Sequence, residues 1–397
     1  MQAMTPDWLG AFEDVPRAAF LPEVMWPFDV ATGRTVTVDK QQDPDSWQGY
    51  ADSDVPIVTQ WDDGTHEGPW PGRVSTSSAS MPNVVFSMLR DLDVRPGQKV
   101  LEIGTGTGYN AALLAHRVGA RNVTTMEVDA AVATTARTAL ERTGLPAHVV
   151  AGDGYAGHPD GAPYDRIVAT CGLRQIPYAW VEQTRPGGLI VTPWGTHYTH
   201  RDAVARLTVG EDGTASGRII RPVQFMKLRT QRLPFAGHAS YVPENVTGNG
   251  EESVTRLDES AFAVDTLAPA PFAIGLRVPD CWHTVADKRD GMRPVWFYGL
   301  SDASWAVAIF RDGRPESKVY QSGPRRLWDE VEAAYGWWQE HGRPDYERFG
   351  LTVTPEEQFA WLDTETNRVT ASRGPAPSAP GSSAASTPSY PASNAPG

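Results

Sequence analysis

The chain has 397 residues, of which 40% are hydrophobic and 21% charged, and its formal net charge is −13. A chain of this length suits about two domains of roughly 150 residues each, and its composition is ordinary for a globular protein in water. The negative charge argues against DNA, RNA or another polyanion as a partner, and it favours a peptide, especially a basic one.

The N-terminal stretch MQAMTPDWLGAFEDVPRAAFLPE has no basic start followed by an apolar run, so the sequence predicts no secretory signal. The sequence also contains no apolar run long enough to span a bilayer. We therefore expect a cytoplasmic protein that does not contact membranes. The sequence leaves the oligomeric state open.

Strand-like and helix-like segments alternate between Met81 and Trp194, a pattern typical of a parallel sheet with crossover helices. The predicted strands cover residues 99–103, 122–128, 147–153, 164–170 and 187–194. Apolar residues at helical spacing predict helices over residues 81–91, 110–118, 130–143 and 176–184. The predicted fold class is α/β, with a doubly wound Rossmann-like sheet.

The sequence KVLEIGTGTGYN places Gly104, Gly106 and Gly108 in the turn between the first predicted strand and its helix. Glycine lets the backbone adopt positive φ and approach a ligand closely. The dinucleotide pattern needs a third glycine where this chain has Tyr109, so the spacing favours an adenosine ligand without a pyrophosphate. A glycine-rich turn alone is weak support for a cofactor site.

Two acidic residues follow the turn at the ends of later strands. Glu127 is placed to accept both ribose hydroxyls, and Asp153 in the sequence AGDG is placed to contact the adenine edge. An acidic residue at a strand end is more often a solvated cap. The order of the glycine turn, Glu127 and Asp153 within one alternating pattern nevertheless favours S-adenosylmethionine as the cofactor.

The stretch VLEIGTGTGYNAALLA, followed by GDGYAGHPDGAPYDRIVAT and RPGGLIVTPWG, resembles the protein-L-isoaspartate O-methyltransferase family. The resemblance covers roughly residues 12–230 and is most specific between Val100 and Gly195. It implies a doubly wound methyltransferase fold, S-adenosylmethionine as methyl donor with S-adenosylhomocysteine as product, and a peptide carboxylate as acceptor. The conserved serine of the family falls on Ser78.

The resemblance and the glycine pattern together give a set of candidate site residues. The predicted catalytic residues are Ser78 and Thr76. The predicted cofactor-binding residues are Glu102, Gly104, Thr105, Gly106, Thr107, Gly108, Tyr109, Asn110, Glu127, Val128, Asp153 and Gly154. The predicted substrate-binding residues are Thr170, Cys171 and Arg174.

Several of the non-glycine candidates also have a purely structural interpretation. The hydroxyl cluster around Ser78 is typical of a turn or helix cap. Cys171 suits a small buried hydrophobic position, and Arg174 suits a surface charge. The sequence HYTH with His197 and His200 lacks further ligands at the usual spacing, and the chain has only two cysteines, so no bound metal is expected.

This chain departs from the family pattern at several places. From the conserved serine onward the family reads Ser-Ala-Pro-His-Met, whereas this chain reads SASMP over residues 78–82. An extra segment, residues 61–72, precedes the serine cluster, and residues 231–367 have no counterpart in the repair enzyme. Extended relatives of this kind resemble methyltransferases of lanthipeptide and graspetide biosynthesis, which modify an aspartate of a ribosomal precursor peptide.

These observations predict four parts of the chain. Residues 1–80 contribute to the acceptor site, 81–230 form the methyltransferase domain, 231–367 form an added α+β domain that binds peptide, and 368–397 form a disordered Pro/Ala/Ser-rich tail. Seven of the 14 tryptophans lie between Trp282 and Trp361. They are expected to form the core of the added domain, and the alternative is an exposed peptide-binding face.

We predict a methyltransferase that esterifies an aspartate side chain of a ribosomally made precursor peptide, either linear or already cyclised. A carboxylate is already a nucleophile, so the site needs alignment and desolvation more than a strong base. The ester leads to a succinimide (aspartimide), which hydrolyses to aspartate or isoaspartate. The alternatives are repair of isoaspartyl residues in damaged proteins, a cofactor-binding protein without turnover, and a small-molecule O-methyltransferase.

Overall fold

The computed structural model describes residues 4–242, 250–262 and 267–369. The predicted tail lies outside these residues except for Arg368 and Val369, and Val369 is buried with its amide donating to Ala360 O at 2.9 Å.

The N-terminal residues form a small layer of helices and antiparallel strands. Its elements are α1 (Leu9–Asp14), β1 (Val24–Asp29), β2 (Arg34–Thr35), β3 (Val38–Asp39), α2 (Pro44–Ala51), β4 (Ile57–Trp61) and β5 (Ser75–Ala79). Strand β4 pairs with both β1 and β5, while β2 and β3 pair with β1. This layer brings the serine-rich strand β5 next to the main sheet.

The main sheet has nine strands. They are β6 (Val100–Ile103), β7 (Val123–Glu127), β8 (His148–Ala151), β9 (Tyr164–Ala169), β10 (Thr184–Trp194), β11 (Asp202–Val209), β12 (Ala215–Val223), β18 (Phe349–Val353) and β19 (Gln358–Leu362). Their spatial order is β19, β18, β12, β11, β10, β9, β6, β7, β8. The five strands from β10 to β8 are parallel, and the other four continue the sheet in antiparallel pairing.

Helices cover both faces of the parallel strands. They are α3 (Pro82–Leu92), α4 (Tyr109–Val118), α5 (Ala130–Arg142) and α6 (Tyr178–Glu182). Successive side chains of a strand point to opposite faces, so Val100 lies in one buried cluster while Leu101 and Ile103 lie in the other. The predicted α/β methyltransferase-type sheet is therefore confirmed, and its five predicted strands and four predicted helices are all present.

A second antiparallel sheet follows in the chain. Its strands and the two helices that pack against it are β13 (Glu251–Thr255), α7 (Pro269–Arg277), β14 (Cys281–Val285), β15 (Met292–Gly299), β16 (Trp305–Arg311), β17 (Ser317–Ser322) and α8 (Leu327–Glu340). The strand order is β13, β17, β16, β15, β14. Helix α7 contributes Phe272 to the core of the main sheet and Ile274 to the core of this sheet. The two sheets therefore share a layer of helices.

The predicted boundary of the added domain, residues 231–367, includes two strands that the structure places elsewhere. Strand β18 pairs with β12, matching Ser216 with Thr352, and β19 pairs with β18 at the edge of the main sheet. The hairpin buries Phe349 and Leu351 in the main core. The chain thus leaves the main sheet after β12, builds the second sheet, and returns to complete the first.

The seven tryptophans of the C-terminal region all lie within the described part of the chain. Trp305, Trp328 and Trp361 are buried, and Trp282, Trp296, Trp337 and Trp338 are half-buried. Trp328 packs against Phe262 and Phe297 in the core of the second sheet. Trp328 therefore lies in the core of the added sheet, as expected, whereas Trp361 belongs to a strand of the main sheet and Trp337 and Trp338 pack against the main core. The alternative of a peptide-binding aromatic face stays a prediction.

No helix within residues 4–242, 250–262 and 267–369 has the length and apolar character needed to cross a bilayer. No group of three or more His, Cys, Asp or Glu side chains in the same residues is arranged to hold a metal ion.

Candidate functional site

The turn between β6 and α4 has the conformation that its glycines predict. Gly104, Gly106 and Gly108 have φ values of 100°, 53° and 90°, which side chains other than glycine rarely adopt. A Cβ atom added at Gly104 would lie 2.7 Å from Thr170 Oγ1, and one at Gly106 would lie 3.3 Å from the carbonyl oxygen of Ser78. The turn is therefore closely packed between β9 and β5.

Glu127 ends strand β7 beside this turn. The backbone amide of Gly106 donates to its Oε2 at 2.9 Å, and the amide of Asp129 donates to its Oε1 at 3.1 Å. Both carboxylate oxygens keep further lone pairs for hydroxyl donors. The backbone thus holds the half-buried carboxylate in a defined orientation next to the glycine turn.

Strand β5 brings a row of hydroxyls to the other side of the turn. Thr76 donates to Gln60 Oε1 at 2.9 Å, and Ser77 accepts from Thr59 at 3.1 Å. Buried Arg17 supports the end of the strand, because its Nη2 donates to the carbonyl of Ala79 at 2.9 Å. Ser78, which lies between these anchored residues, is half-buried.

The turn, Glu127 and β5 line one cleft that is open to solvent and has an empty volume of about 1050 Å³. Of the predicted cofactor-binding residues, the cleft is lined by residues 104–107, Tyr109, Asn110, Glu127, Val128 and Gly154. The predicted acceptor-site residues Thr76, Ser78, Thr170 and Cys171 line the same cleft. Folding therefore brings together residues from five separate parts of the sequence.

Four predicted site residues do not line the cleft. Gly108 caps α4 from inside the turn. Asp153 is exposed, and its carboxylate accepts from the amide of Tyr155 at 2.9 Å. Glu102 is fully buried in β6. Arg174 is turned into a buried ion pair instead of the acceptor site.

The ion pair of Arg174 is centred on Asp202, whose side chain is fully buried. Arg174 Nη1 lies 2.6 Å from Asp202 Oδ1, and Lys227 Nζ lies 2.5 Å from Oδ2. Arg174 also donates to the carbonyl of Thr199 at 3.1 Å. This position matches neither the interpretation of Arg174 as a surface charge nor its predicted role in binding an acceptor carboxylate, because its guanidinium group is buried against Asp202.

The segment after β12 lines the cleft and was missed by the sequence reasoning. It contributes Phe225, Met226, Lys227, Leu228, Arg229 and Arg232. Backbone hydrogen bonds join it to the loop after β9, because Gly172 donates to Met226 O at 2.8 Å and Leu228 donates to Gly172 O at 3.0 Å. The cluster of cations in FMKLRTQR was the only signal in the sequence, and it does not by itself indicate a cleft.

Comparison with known proteins matches residues 44–233 to the family model described as Protein-L-isoaspartate(D-aspartate) O-methyltransferase (PCMT). The protein-L-isoaspartate O-methyltransferase 2 of Polaromonas sp. is 40% identical over 154 residues, which cover 38% of this chain and 72% of that protein. The chain belongs to this family.

A further relative matches over a smaller share of its length, and a solved structure aligns over most of both chains. The protein-L-isoaspartate O-methyltransferase of Pyrococcus horikoshii is 40% identical over 136 residues, and the match spans 34% of this chain and 61% of that relative. A solved structure with the name protein-L-isoaspartate O-methyltransferase aligns with 89% of this chain and 93% of its own, at 22% identity and a TM-score of 0.49. The second sheet and the β18–β19 hairpin lie beyond the residues that match the family model.

Cys171 has the chemistry of a structural thiol at this site. Burial raises its pKa to about 12, so the thiol stays protonated at neutral pH. A protonated thiol is a poor nucleophile, and the methyl acceptor of the family is a carboxylate. Cys171 therefore forms part of the cleft wall and does not act as a reacting group.

Glu102 supports the glycine turn from below. Thr125 donates to its Oε2 at 2.5 Å, and Asn110, which lines the cleft, donates to its Oε1 at 2.6 Å. The hydroxyls of Thr125 and Thr105 lie 2.7 Å apart, which extends the network into the turn. Burial raises the pKa of Glu102 from 4.5 to about 7, because the charged form is poorly solvated.

This raised pKa predicts a pH-dependent stability. Between about pH 4.5 and 7 the folded chain holds a proton on Glu102 that the unfolded chain has lost, so stability falls as pH rises. The variant Glu102→Gln lacks this titration. Relative to the parent it should therefore gain roughly 2 to 3 kcal/mol of unfolding free energy between pH 5 and pH 8, measured by urea unfolding. The same pH dependence in both proteins would show that Glu102 is ionised in the fold throughout.

Proposed function

We propose that this protein is an S-adenosylmethionine-dependent methyltransferase that esterifies a carboxylate of a protein or peptide, with an isoaspartyl residue as the acceptor. One observation carries the proposal: the glycine turn with Glu127 and the hydroxyl strand with Ser78 line the same cleft. Membership of the protein-L-isoaspartate O-methyltransferase family supports this acceptor.

The cleft fits an adenosine-bearing cofactor. Glu127 presents a fixed carboxylate for the two ribose hydroxyls, and Ile103, Met126 and Val128 provide apolar surface for the base. A Cβ atom at Gly154 would lie 2.4 Å from Ile103 Cγ2, so glycine keeps this wall open and close to the sheet. When bound, S-adenosylmethionine supplies a methyl group on a positively charged sulfur, which an ionised carboxylate accepts without a proton transfer.

The protein's contribution in this proposal is binding, orientation and exclusion of water. The Ser78 hydroxyl donates to one oxygen of the acceptor carboxylate, which leaves the other oxygen to form the ester bond. No general base is required, because a carboxylic acid is already deprotonated at neutral pH. Thr76 acts differently from the earlier expectation, since its hydroxyl is bonded to Gln60 and positions the strand.

Replacing Ser78 with alanine should lower kcat about tenfold to a hundredfold, the range expected for one hydrogen bond to a charged group. Binding of S-adenosylhomocysteine, measured by calorimetry, should change less than about twofold, because the hydroxyl is assigned to the acceptor. Ser87→Ala on α3 is the matched control, since Ser87 does not line the cleft. Equal losses of turnover and cofactor affinity would remove Ser78 from the acceptor site.

A second candidate acceptor is an aspartate side chain of a ribosomal precursor peptide. The observation in its favour is the second sheet with α7 and α8, which packs on the methyltransferase sheet and lies beyond the family match. The sequence SASMP in place of the family pattern after Ser78 points the same way. In this case the product is the aspartyl ester and the succinimide formed from it.

Intact mass and fragmentation distinguish the two acceptors. An isoaspartyl test peptide and the precursor peptide encoded beside the gene are each incubated with S-adenosylmethionine and the protein. Methylation of the isoaspartyl peptide supports the first function. Methylation or loss of water at one aspartate of the precursor alone supports the second, and no reaction with either peptide contradicts both.

A further inference from the structure

Three of the four charged side chains that line the cleft are cationic, although the chain as a whole is acidic. Arg229 and Arg232 both line the cleft, on the segment that pairs with the loop after β9. Gln231 fixes this segment, because its Oε1 accepts from the amides of Arg174 at 2.6 Å and Gln175 at 3.0 Å. Two guanidinium groups thus line the cleft of a protein whose net charge is −13.

Both guanidinium groups contact a carboxylate of the chain itself. Arg232 Nη1 lies 2.8 Å from both carboxylate oxygens of Asp63, and Arg229 Nη2 lies 3.0 Å from Asp63 Oδ1. Each arginine uses one nitrogen for this contact, so neither forms the two-nitrogen fork that arginine makes with a carboxylate at full strength. Among the described residues, the buried Nε of Arg229 has no hydrogen-bond partner. Arg229 Nη2 also lies 3.8 Å from Asp129 Oδ2. An arginine has five N–H donors, so both guanidinium groups keep donors that these two carboxylates do not use.

Asp63 lies on the extra segment between β4 and β5, in a turn with left-handed backbone. Asp62, Asp63 and Gly64 all have positive φ, with 49° at Asp62 and 54° at Asp63. Aspartate adopts this region more often than most residues other than glycine. The loop is closed by Asp62, which accepts from the amides of Arg73 and Val74 at 3.0 and 2.7 Å. This closure uses the side chain of Asp62, whereas the side chain of Asp63 is 42% exposed.

We propose that Arg229 and Arg232 form a second carboxylate subsite, which binds an acidic residue of the acceptor peptide next to the residue that is methylated. Asp63 occupies this subsite in the free protein and gives way to the peptide carboxylate. This inference rests on the proposed function, and it selects peptides with an acidic flank. It also revises the expectation of a basic peptide, since three of the four charged side chains that line the cleft are cationic.

Peptide binding tests the subsite separately from turnover. Two fluorescent isoaspartyl peptides that differ only in one flanking residue, Asp or Asn, are titrated with the protein in the presence of S-adenosylhomocysteine, and anisotropy is recorded. The parent should bind the Asp peptide about threefold to tenfold more tightly. Arg232→Gln should abolish this preference without changing the affinity for the Asn peptide. Arg232→Lys should retain part of it, and Arg95→Gln, at an exposed arginine outside the cleft, should retain all of it.

Asp63→Asn tests whether the Asp63 carboxylate competes with the peptide carboxylate for the two arginines. It should tighten binding of the Asp peptide and leave the Asn peptide unchanged, because the internal competitor loses its charge. Equal affinity of the parent for both peptides, or equal losses for both in Arg232→Gln, would overturn the subsite. If the proposed function is wrong but the subsite exists, the protein binds the Asp peptide more tightly than the Asn peptide, yet intact mass shows methylation of neither peptide.

Discussion

Asp202→Ala should lower the free energy of unfolding by about 3 to 5 kcal/mol. Asp202 is fully buried and is the counter-charge of both Arg174 and Lys227, whose side chains are only 9% and 14% exposed. Its removal leaves two buried cations without a counter-charge. The resulting loss of unfolding free energy is larger than the net stabilisation that the ion pairs provided. Burial already lowers the pKa of Lys227 in the parent.

Urea unfolding at pH 7 measures the effect, with the slope m checked for two-state behaviour. Glu13→Ala on α1 is the control, since this exposed carboxylate should change stability by less than about 0.5 kcal/mol. The loss in Asp202→Ala should shrink at higher pH, because the unfolded chain then binds more protons at Lys227 than the folded chain does. A loss below about 1 kcal/mol at pH 7 would mean that solvent or another group neutralises the two cations.

Glu127→Gln should weaken binding of S-adenosylhomocysteine roughly tenfold to a hundredfold. Both carboxylate oxygens of Glu127 accept from backbone amides, those of Gly106 and Asp129. An amide group in the same place turns an N–H donor towards one of these N–H groups, so the side chain must rotate and the turn must shift. The ribose hydroxyls also lose a charged acceptor.

Isothermal titration calorimetry with S-adenosylhomocysteine measures this loss without any need for an acceptor. Glu141→Gln makes the same substitution on the exposed face of α5 and should leave the affinity unchanged. The melting temperature of each variant without ligand shows whether the fold is intact. An affinity for Glu127→Gln within about threefold of the parent would place the ribose elsewhere in the cleft.

The parts of the site that sequence reasoning predicted depend on local chemistry. The strand β6 and the turn with Gly104, Gly106 and Gly108 follow from an apolar run and from residues that tolerate positive φ. Glu127 follows because parallel neighbouring strands end at the same edge of a sheet, so the next strand after the turn must bring its last residue there. Family resemblance then located Ser78, which the structure places in the same cleft.

The parts that were missed depend on contacts between residues far apart in the chain. Nothing near Arg174 in the sequence shows that Asp202 will neutralise it. Nothing in the sequence of residues 349–362 shows that they form two strands at the edge of the main sheet, where β18 pairs with β12.

The sequence by itself determined the α/β core, the glycine turn and the acidic end of β7, because hydrophobic periodicity and backbone φ act over a few neighbouring residues. Only the tertiary structure decided which charges are paired and which face the cleft. Four of these charges are cations that look alike in the sequence, yet Arg174 and Lys227 meet the buried Asp202. Arg229 and Arg232 share the exposed Asp63, and Arg229 Nη2 also lies 3.8 Å from Asp129 Oδ2. Packing sets this difference, because the availability of a charge depends on its burial and on the partner that the fold brings to it.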